Sequence, residues 1–286
     1  MSDPAPTRPP LREVIARHGL AARRALGQHF LLDANLTARI VRLAGDLTGR
    51  HVIEVGPGPG GLTRALLDSP AASVTVIELD PRAVAAMQDL AATAPGRLKV
   101  VAGDALALDL RSLVAKPRRI VANLPYNIAT PLLIGWLRQA DAFEGFTLMF
   151  QQEVAERIAA APGSHAYGRL SVLAQWICAV ELGLRLPPSA FVPPPRVFSA
   201  VLGLMPHAAQ PDPARFAAME RLTAAAFGQR RKMLRAALRA AFGAAGAESL
   251  LAAAGIAPER RAETLTVAEF DRLAALLPAA AMLHRP

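Results

Sequence analysis

From about residue 37 onward, short apolar runs alternate with longer stretches whose apolar positions recur at helical spacing. HVIEV (51–55), VTVIEL (74–79), RLKVVAGD (97–104), RRIVANLP (118–125) and FTLMFQ (146–151) are rich in β-branched and aromatic residues and read as strands. Helical patterns occupy 37–45, about 61–68, PRAVAAMQDLAA with its leading proline, Thr130 to about Arg138, and a stretch from about Glu153. This alternation predicts βαβ units and an α/β fold on a mostly parallel sheet. The rhythm then changes. FVPPPRVFSAVLGL (191–204) carries a proline cluster and a strand, and after MPHAAQPDP the pattern is helical to the end. Pro206, Pro211 and Pro213 mark a linker-like boundary. The expected organisation is a mobile arm with a short helix (1–20), an α/β domain (21–206) and a helical C-terminal domain (207–286).

Composition narrows the class. Hydrophobic residues at 52% allow a sizeable core, although many are alanines, and 19% charged residues exclude a disordered polyampholyte. A net charge of +9 favours an anionic partner, nucleic acid ahead of a membrane surface. The lone cysteine, Cys178, lies in the apolar run VLAQWICAVELGL and reads as a buried structural thiol. The first thirty or so residues hold no apolar leader core, and no apolar stretch reaches about 18 residues, so a cytoplasmic protein without a membrane segment is expected.

Chemistry concentrates at the ends of the predicted strands. VIEVGPGPGGLT (52–63) is a strand entering a glycine turn that opens a helix, and Gly56, Gly58 and Gly60 allow positive φ and close backbone approach. Such a turn suits a dinucleotide or S-adenosylmethionine. Glu78, about twenty residues further on, ends the next strand where a carboxylate can accept two ribose hydroxyls. Asp104 ends the third strand, where it can take the adenine amine; either acid could instead be solvated or cap a helix. Pro57 and Pro59 remove two amides that a pyrophosphate would need, which favours the sulfonium cofactor. The fourth strand ends in NLPYN (123–127). The Asn123 side-chain oxygen and the Leu124 carbonyl can hold the two N–H groups of an exocyclic amine, and Tyr126 offers a face on which its base can stack. A base drawn out of a folded nucleic acid would profit from a second clamp. Phe191 reads equally as that clamp and as core.

With these pieces in place the chain resembles the KsgA/RsmA family of small-subunit rRNA adenine dimethyltransferases. The resemblance rests on ARRALGQHFLLD (22–33), VIEVGPGPGGLT, VIELD, GDAL, NLPYNIATPLL, MFQQEVAERI, AFVPPPRVFSAV and AFGQRRKMLRAAL, in family order. It implies a Rossmann-like methyltransferase sheet of seven strands, the last antiparallel, with a small all-α C-terminal domain. It further implies transfer of methyl groups from S-adenosylmethionine to N6 of two adjacent adenines near the 3′ end of small-subunit rRNA, late in 30S assembly, by a monomer that needs no metal. Carried over by position, His29 and Leu31 would touch the cofactor through their backbone, with Gly56, Gly58, Glu78, Asp104 and Asn123 completing its site. Asn123, Leu124, Tyr126 and Phe191 would handle the adenine. Many such relatives carry Asn where this chain has His29.

GQRRKMLRAALRA (228–240) is basic without an acid. Read as one helix, it puts Arg231, Arg235 and Arg239 on one face, with Arg230 and Lys232 beside them, as a stripe for phosphates or a solvated face. Arg23 and Arg24 would extend that footprint. Three other readings stay open: a large-subunit rRNA methyltransferase of the same fold, a non-catalytic assembly factor, and a nicotinamide oxidoreductase, for which no hydride-handling residue is found.

Overall fold

A computed structural model describes residues 8–22, 27–229 and 231–277. The chain forms two compact units. One runs to Ala155 and takes in Glu181–Met205; the other comprises Glu156–Val180 and the chain from Pro206 on. Residues 156–180 thus belong with the later helices.

The first unit begins with helices α1 (Leu11–Arg17) and α2 (Ala34–Leu43). Asp33 caps α2, its carboxylate accepting from the amides of Asn35 and Leu36. A seven-stranded sheet follows: β1 (His51–Val55), β2 (Ser73–Glu78), β3 (Leu98–Ala102), β4 (Arg118–Asn123), β5 (Gly145–Gln151), β6 (Cys178–Leu186) and β7 (Ser199–Pro206), in the order β3-β2-β1-β4-β5-β7-β6. β1 is parallel to β2 and β4, β2 to β3, and β4 to β5, whereas β7 runs antiparallel to β5. Helices α3 (Gly61–Leu67), α4 (Pro81–Ala92), α5 (Ala129–Leu137) and α6 (Gln152–Ile158) follow β1, β2, β4 and β5. Asp80 caps α4 ahead of Pro81. β1 and β5 are buried almost throughout, as a parallel sheet covered on both faces requires. Strand order reverses between β1 and β4, which opens a crevice at their carboxyl ends.

β6 is the one sheet strand that the sequence pattern left inside an apolar run. Helix α7 (Arg169–Ile177) passes into it at Cys178 with no glycine or proline between them. Its alternating burial marks a strand with one covered face. Cys178 is 1% exposed and burial pushes its thiol up to about 12, so it is a packing residue.

The second unit packs α7, α8 (Pro213–Gly228), α9 (Leu234–Phe242), α10 (Ala244–Ala253) and α11 (Val267–Leu276) around Tyr167, Trp176, Phe216, Phe227 and Phe270. The basic stretch predicted as one helix is broken. α8 ends at Gly228, the chain turns with Lys232 N–H donating to Gln229 C=O at 2.9 Å, and α9 begins at Leu234. The cause is tertiary: the Leu234 and Arg235 amides donate to the carbonyls of Arg260 and Pro258, which fixes where α9 starts. Arg231 and Lys232 therefore precede the helix. Arg235 and Arg239 share its exposed side, opposite buried Leu234, Ala237 and Leu238. Arg23, Arg24 and Arg230 lie outside the described residues. Among the described residues no helix is long and apolar enough to cross a membrane.

Candidate active site

The crevice lies wholly within the first unit. Its walls are Gly27–Leu31, the turn 55–62, the end of β2 at Ile77–Leu79, Gly103–Leu106 and Asn123–Ile128. Among the described residues its lining holds three carboxylic acids, Glu54, Glu78 and Asp104, and neither lysine nor arginine. In a chain of net charge +9 that is a local inversion of sign.

Residues 56–60 of the glycine turn have no amide to offer a phosphate. Gly56 N–H donates to Ile77 C=O at 2.9 Å, Gly58 N–H to Glu78 Oε2 at 3.3 Å, and Gly60 N–H to Pro57 C=O at 3.0 Å. Pro57 and Pro59 have none. Gly58 is required for two reasons. Its φ is +53°, and a Cβ there would stand 2.9 Å from the Phe30 ring. The turn is thus packed against the 29–31 segment, and it touches the fourth strand's loop as well, since a Cβ on Gly56 would meet Pro125 at 3.3 Å.

The acids differ in setting. Glu78 is 7% exposed; its Oε1 accepts from Leu79 and Asp80 amides, both at 2.8 Å, and its Oε2 from Gly58. Burial raises its pKa against the pull of those amides. Asp104 is exposed, its Oδ1 accepting from Leu106 N–H at 2.9 Å. Beside these acids Leu79 and Leu106 stand 60% and 49% exposed on the cleft wall, apolar surface that a flat ring would cover. Glu54, which sequence reasoning passed over, is 1% exposed and lines the same cleft; Thr63 Oγ1 donates to its Oε2 at 2.6 Å. Burial, with like-charged Glu78 nearby, pushes its pKa up to about 8 although the Thr63 hydroxyl opposes the shift. The legible signal was a charge inside the apolar strand VIEV.

NLPYN lies opposite the glycine turn. Asn123 donates its Nδ2–H to His29 C=O at 3.2 Å. A carbonyl can only accept, so the amide is held one way round and Oδ1 remains as its acceptor on the cleft. The Leu124 side chain is buried. Tyr126 is anchored by a 2.6 Å hydrogen bond between its hydroxyl and Ser199 Oγ, and burial raises its phenol pKa. Its ring centroid is 5.5 Å from that of His29, whose Nδ1 donates to Pro193 C=O at 2.9 Å. His29 therefore supports the site through its carbonyl and its ring together. Ser199 lies far along the chain from Tyr126, and no sequence signal connects them.

Phe191 requires a correction. It is 2% exposed, belongs to the core and does not line the cleft. The segments Phe30–Leu31 and Phe191–Val192 form a two-residue antiparallel ladder, pairing Phe191 with the buried Leu31. In this conformation Phe191 secures the 29–31 wall and presents no face to a base. The structure brings His29, Leu31, Gly56, Gly58, Glu78, Asp104, Asn123, Leu124 and Tyr126 to one cleft; Arg231, Lys232, Arg235 and Arg239 are on the second unit.

A Rossmann-like sheet ending in an antiparallel strand, with an acid-lined crevice at its switch point, defines the methyltransferase class of α/β folds. Residues 19–278 match the family model described as ribosomal RNA adenine dimethylase, and the chain belongs to that family. It is 62% identical over 268 residues to ribosomal RNA small subunit methyltransferase A of Gluconobacter oxydans, covering 94% of this chain and 87% of that protein. The protein of the same name from Paramagnetospirillum magneticum is 59% identical over 271 residues, covering 95% of each chain. Among solved structures, a dimethyladenosine transferase from Plasmodium falciparum superposes with a TM-score of 0.71 at 25% identity, covering 86% of this chain and 96% of that one. The 23S rRNA methyltransferase ErmE gives 0.66 at 26% identity, covering 86% and 98%.

Proposed function

We propose that the chain methylates N6 of two adjacent adenines in the 3′-terminal hairpin of small-subunit rRNA, using S-adenosylmethionine, and gives N6,N6-dimethyladenines during late 30S assembly. The observation that carries this reading is the convergence of Asn123 and Tyr126 on a cleft whose described lining holds acids and no lysine or arginine. Such a cleft, with no amide of the 56–60 turn free for an anion, disfavours a pyrophosphate and suits a cation. The donor set therefore fits S-adenosylmethionine, which when bound supplies an electrophilic methyl on a charged sulfonium.

The chain's own residues do the rest. Glu78 and Asp104 offer carboxylate oxygens for the ribose hydroxyls and the adenine amine of the cofactor, while Leu79 and Leu106 cover its ring. Asn123 Oδ1 and the Leu124 carbonyl accept the two N–H groups of the target amine. The amine's lone pair, otherwise delocalised into the purine, is thereby oriented for attack. Tyr126, fixed by Ser199, supports the base. No general base is required before the methyl moves, because geometry supplies the nucleophilicity. Arg231, Lys232, Arg235 and Arg239 contact phosphates, and the working form is a cytoplasmic monomer.

The test is incubation with labelled S-adenosylmethionine and under-methylated small subunits, followed by nucleoside analysis. Labelled N6,N6-dimethyladenine in small-subunit RNA is expected. Label in large-subunit RNA would turn the assignment to the related large-subunit enzymes, and no label in any RNA would overturn it.

A further inference from the structure

Glu54 has no part in the mechanism above, yet it is the most deeply buried carboxyl of the cleft wall. It sits on β1 directly before the glycine turn. Its Oε2 is held by Thr63 of α3, whose hydroxyl also touches Met87 Sδ of α4. Among the described residues the titratable groups that share its cleft are Glu78 from β2, Asp104 after β3, His29 from the 27–31 wall and Tyr126 after β4; none of these is a fixed cation. A carboxyl there is buried, has a like-charged neighbour in Glu78, and has no counter-ion among the described residues. In the free protein it favours the neutral form, consistent with a pKa raised to about 8.

Resting on the cofactor assignment above, we propose that Glu54 is the group by which this site distinguishes the sulfonium cofactor from its thioether product. It gives up its proton when the sulfonium enters and regains it once that charge is gone. S-adenosylmethionine carries one net positive charge near neutrality, whereas S-adenosylhomocysteine carries none. Their shapes differ by one methyl, which contact alone separates weakly. A buried carboxylate adds a charge-dependent difference, because attraction to a cation is strong where water is excluded. Uptake of cofactor is therefore coupled to release of a proton, and loss of the charge on methyl transfer weakens the hold on the product. Binding that releases a proton tightens as pH rises, so affinity for S-adenosylmethionine increases by up to about tenfold per unit between pH 6 and 8 and then levels. The thioether shows a much shallower dependence.

The experiment is titration calorimetry at pH 7 in phosphate and in Tris, whose protonation heats differ, using the full chain with each ligand. The wild type is expected to release close to one proton with S-adenosylmethionine and distinctly less with S-adenosylhomocysteine. Glu54→Gln keeps an acceptor for Thr63 but cannot ionise. It should release none, and the preference for the charged ligand should fall about tenfold. Thr63→Val keeps the carboxyl and removes the donor that favours its ionised form, so proton release should move to higher pH. Equal release for both ligands, no release by the wild type, or undiminished release by Glu54→Gln would each overturn the proposal. Failure of folded wild type to bind S-adenosylmethionine at all would instead strike the cofactor assignment.

Discussion

Asn123 shows how one hydrogen bond sets a role. Its Nδ2 faces the His29 carbonyl, so the oxygen is the atom left for a ligand amine. Asn123→Asp keeps the shape but sets a carboxylate against that carbonyl. We expect kcat to fall about 10²–10³-fold, the range for loss of one preorganised hydrogen-bonding group. Calorimetry should show cofactor affinity changed only a few-fold; wild-type turnover would reject the role. Glu54 makes a separate statement about pH. Its folded pKa of about 8 lies above the ordinary carboxylate value, so its neutral form is favoured by folding. That favour is fully present below about pH 4.5, the unfolded value, and is lost as pH rises through 8. Glu54→Gln should therefore gain in Tm relative to wild type from pH 5 to pH 9. A constant difference in thermal melts would show that Glu54 does not titrate in that window. Sequence made Asn123, Glu78 and Asp104 legible because each closes a strand at a fixed offset from the glycine turn. Phe191 was not legible, since its burial depends on pairing with a segment that stands far from it in the chain.

At the scale of elements, the glycine turn is a packing device before it is a binding one. The amides of Gly56, Gly58 and Gly60 are taken internally, and Gly58 lies under the Phe30 ring. Gly58→Ala combines a left-handed φ with a contact too short to keep, at a cost of about 1–3 kcal/mol. The Phe30 ring must move, and with it the carbonyl of neighbouring His29 that orients Asn123. We expect a lower Tm together with a loss of turnover, and partial recovery of both on adding Phe30→Leu. Recovery of stability without turnover would separate the turn from the orientation of Asn123. The five parallel strands were legible because doubly covered strands read as apolar runs punctuated by turn residues. β6 and the break before α9 were hidden for opposite reasons. The first follows a helix with no punctuation, and the second is imposed on a continuous helical pattern by carbonyls at 258 and 260.

At the scale of the whole molecule, charge is sorted by sign. Among the described residues the cleft lining carries acids and no lysine or arginine while the chain as a whole is +9, so the described cations that could meet an RNA lie elsewhere. α9 carries two exposed candidates on one face, Arg235 and Arg239. Arg235 has a 3.8 Å contact with Glu259, but both side chains are more than half exposed, and such a pair contributes at most about 1 kcal/mol. It can be exchanged for a phosphate at little loss. Each phosphate contact steepens the fall of binding with salt by roughly 0.7–0.9 in a log–log plot. Arg235→Ala with Arg239→Ala should therefore weaken binding to small-subunit rRNA and flatten its slope by roughly 1.5, leaving cofactor affinity unchanged. Glu259→Gln supplies the opposite sign. It removes the competing acid, so RNA affinity should rise modestly at low salt, by less than about tenfold. Filter binding of the three proteins across a salt series reads both effects. If the double variant kept the wild-type slope while Glu259→Gln changed nothing, α9 would be a solvated face, and the phosphates would be held by other arginines of this basic chain.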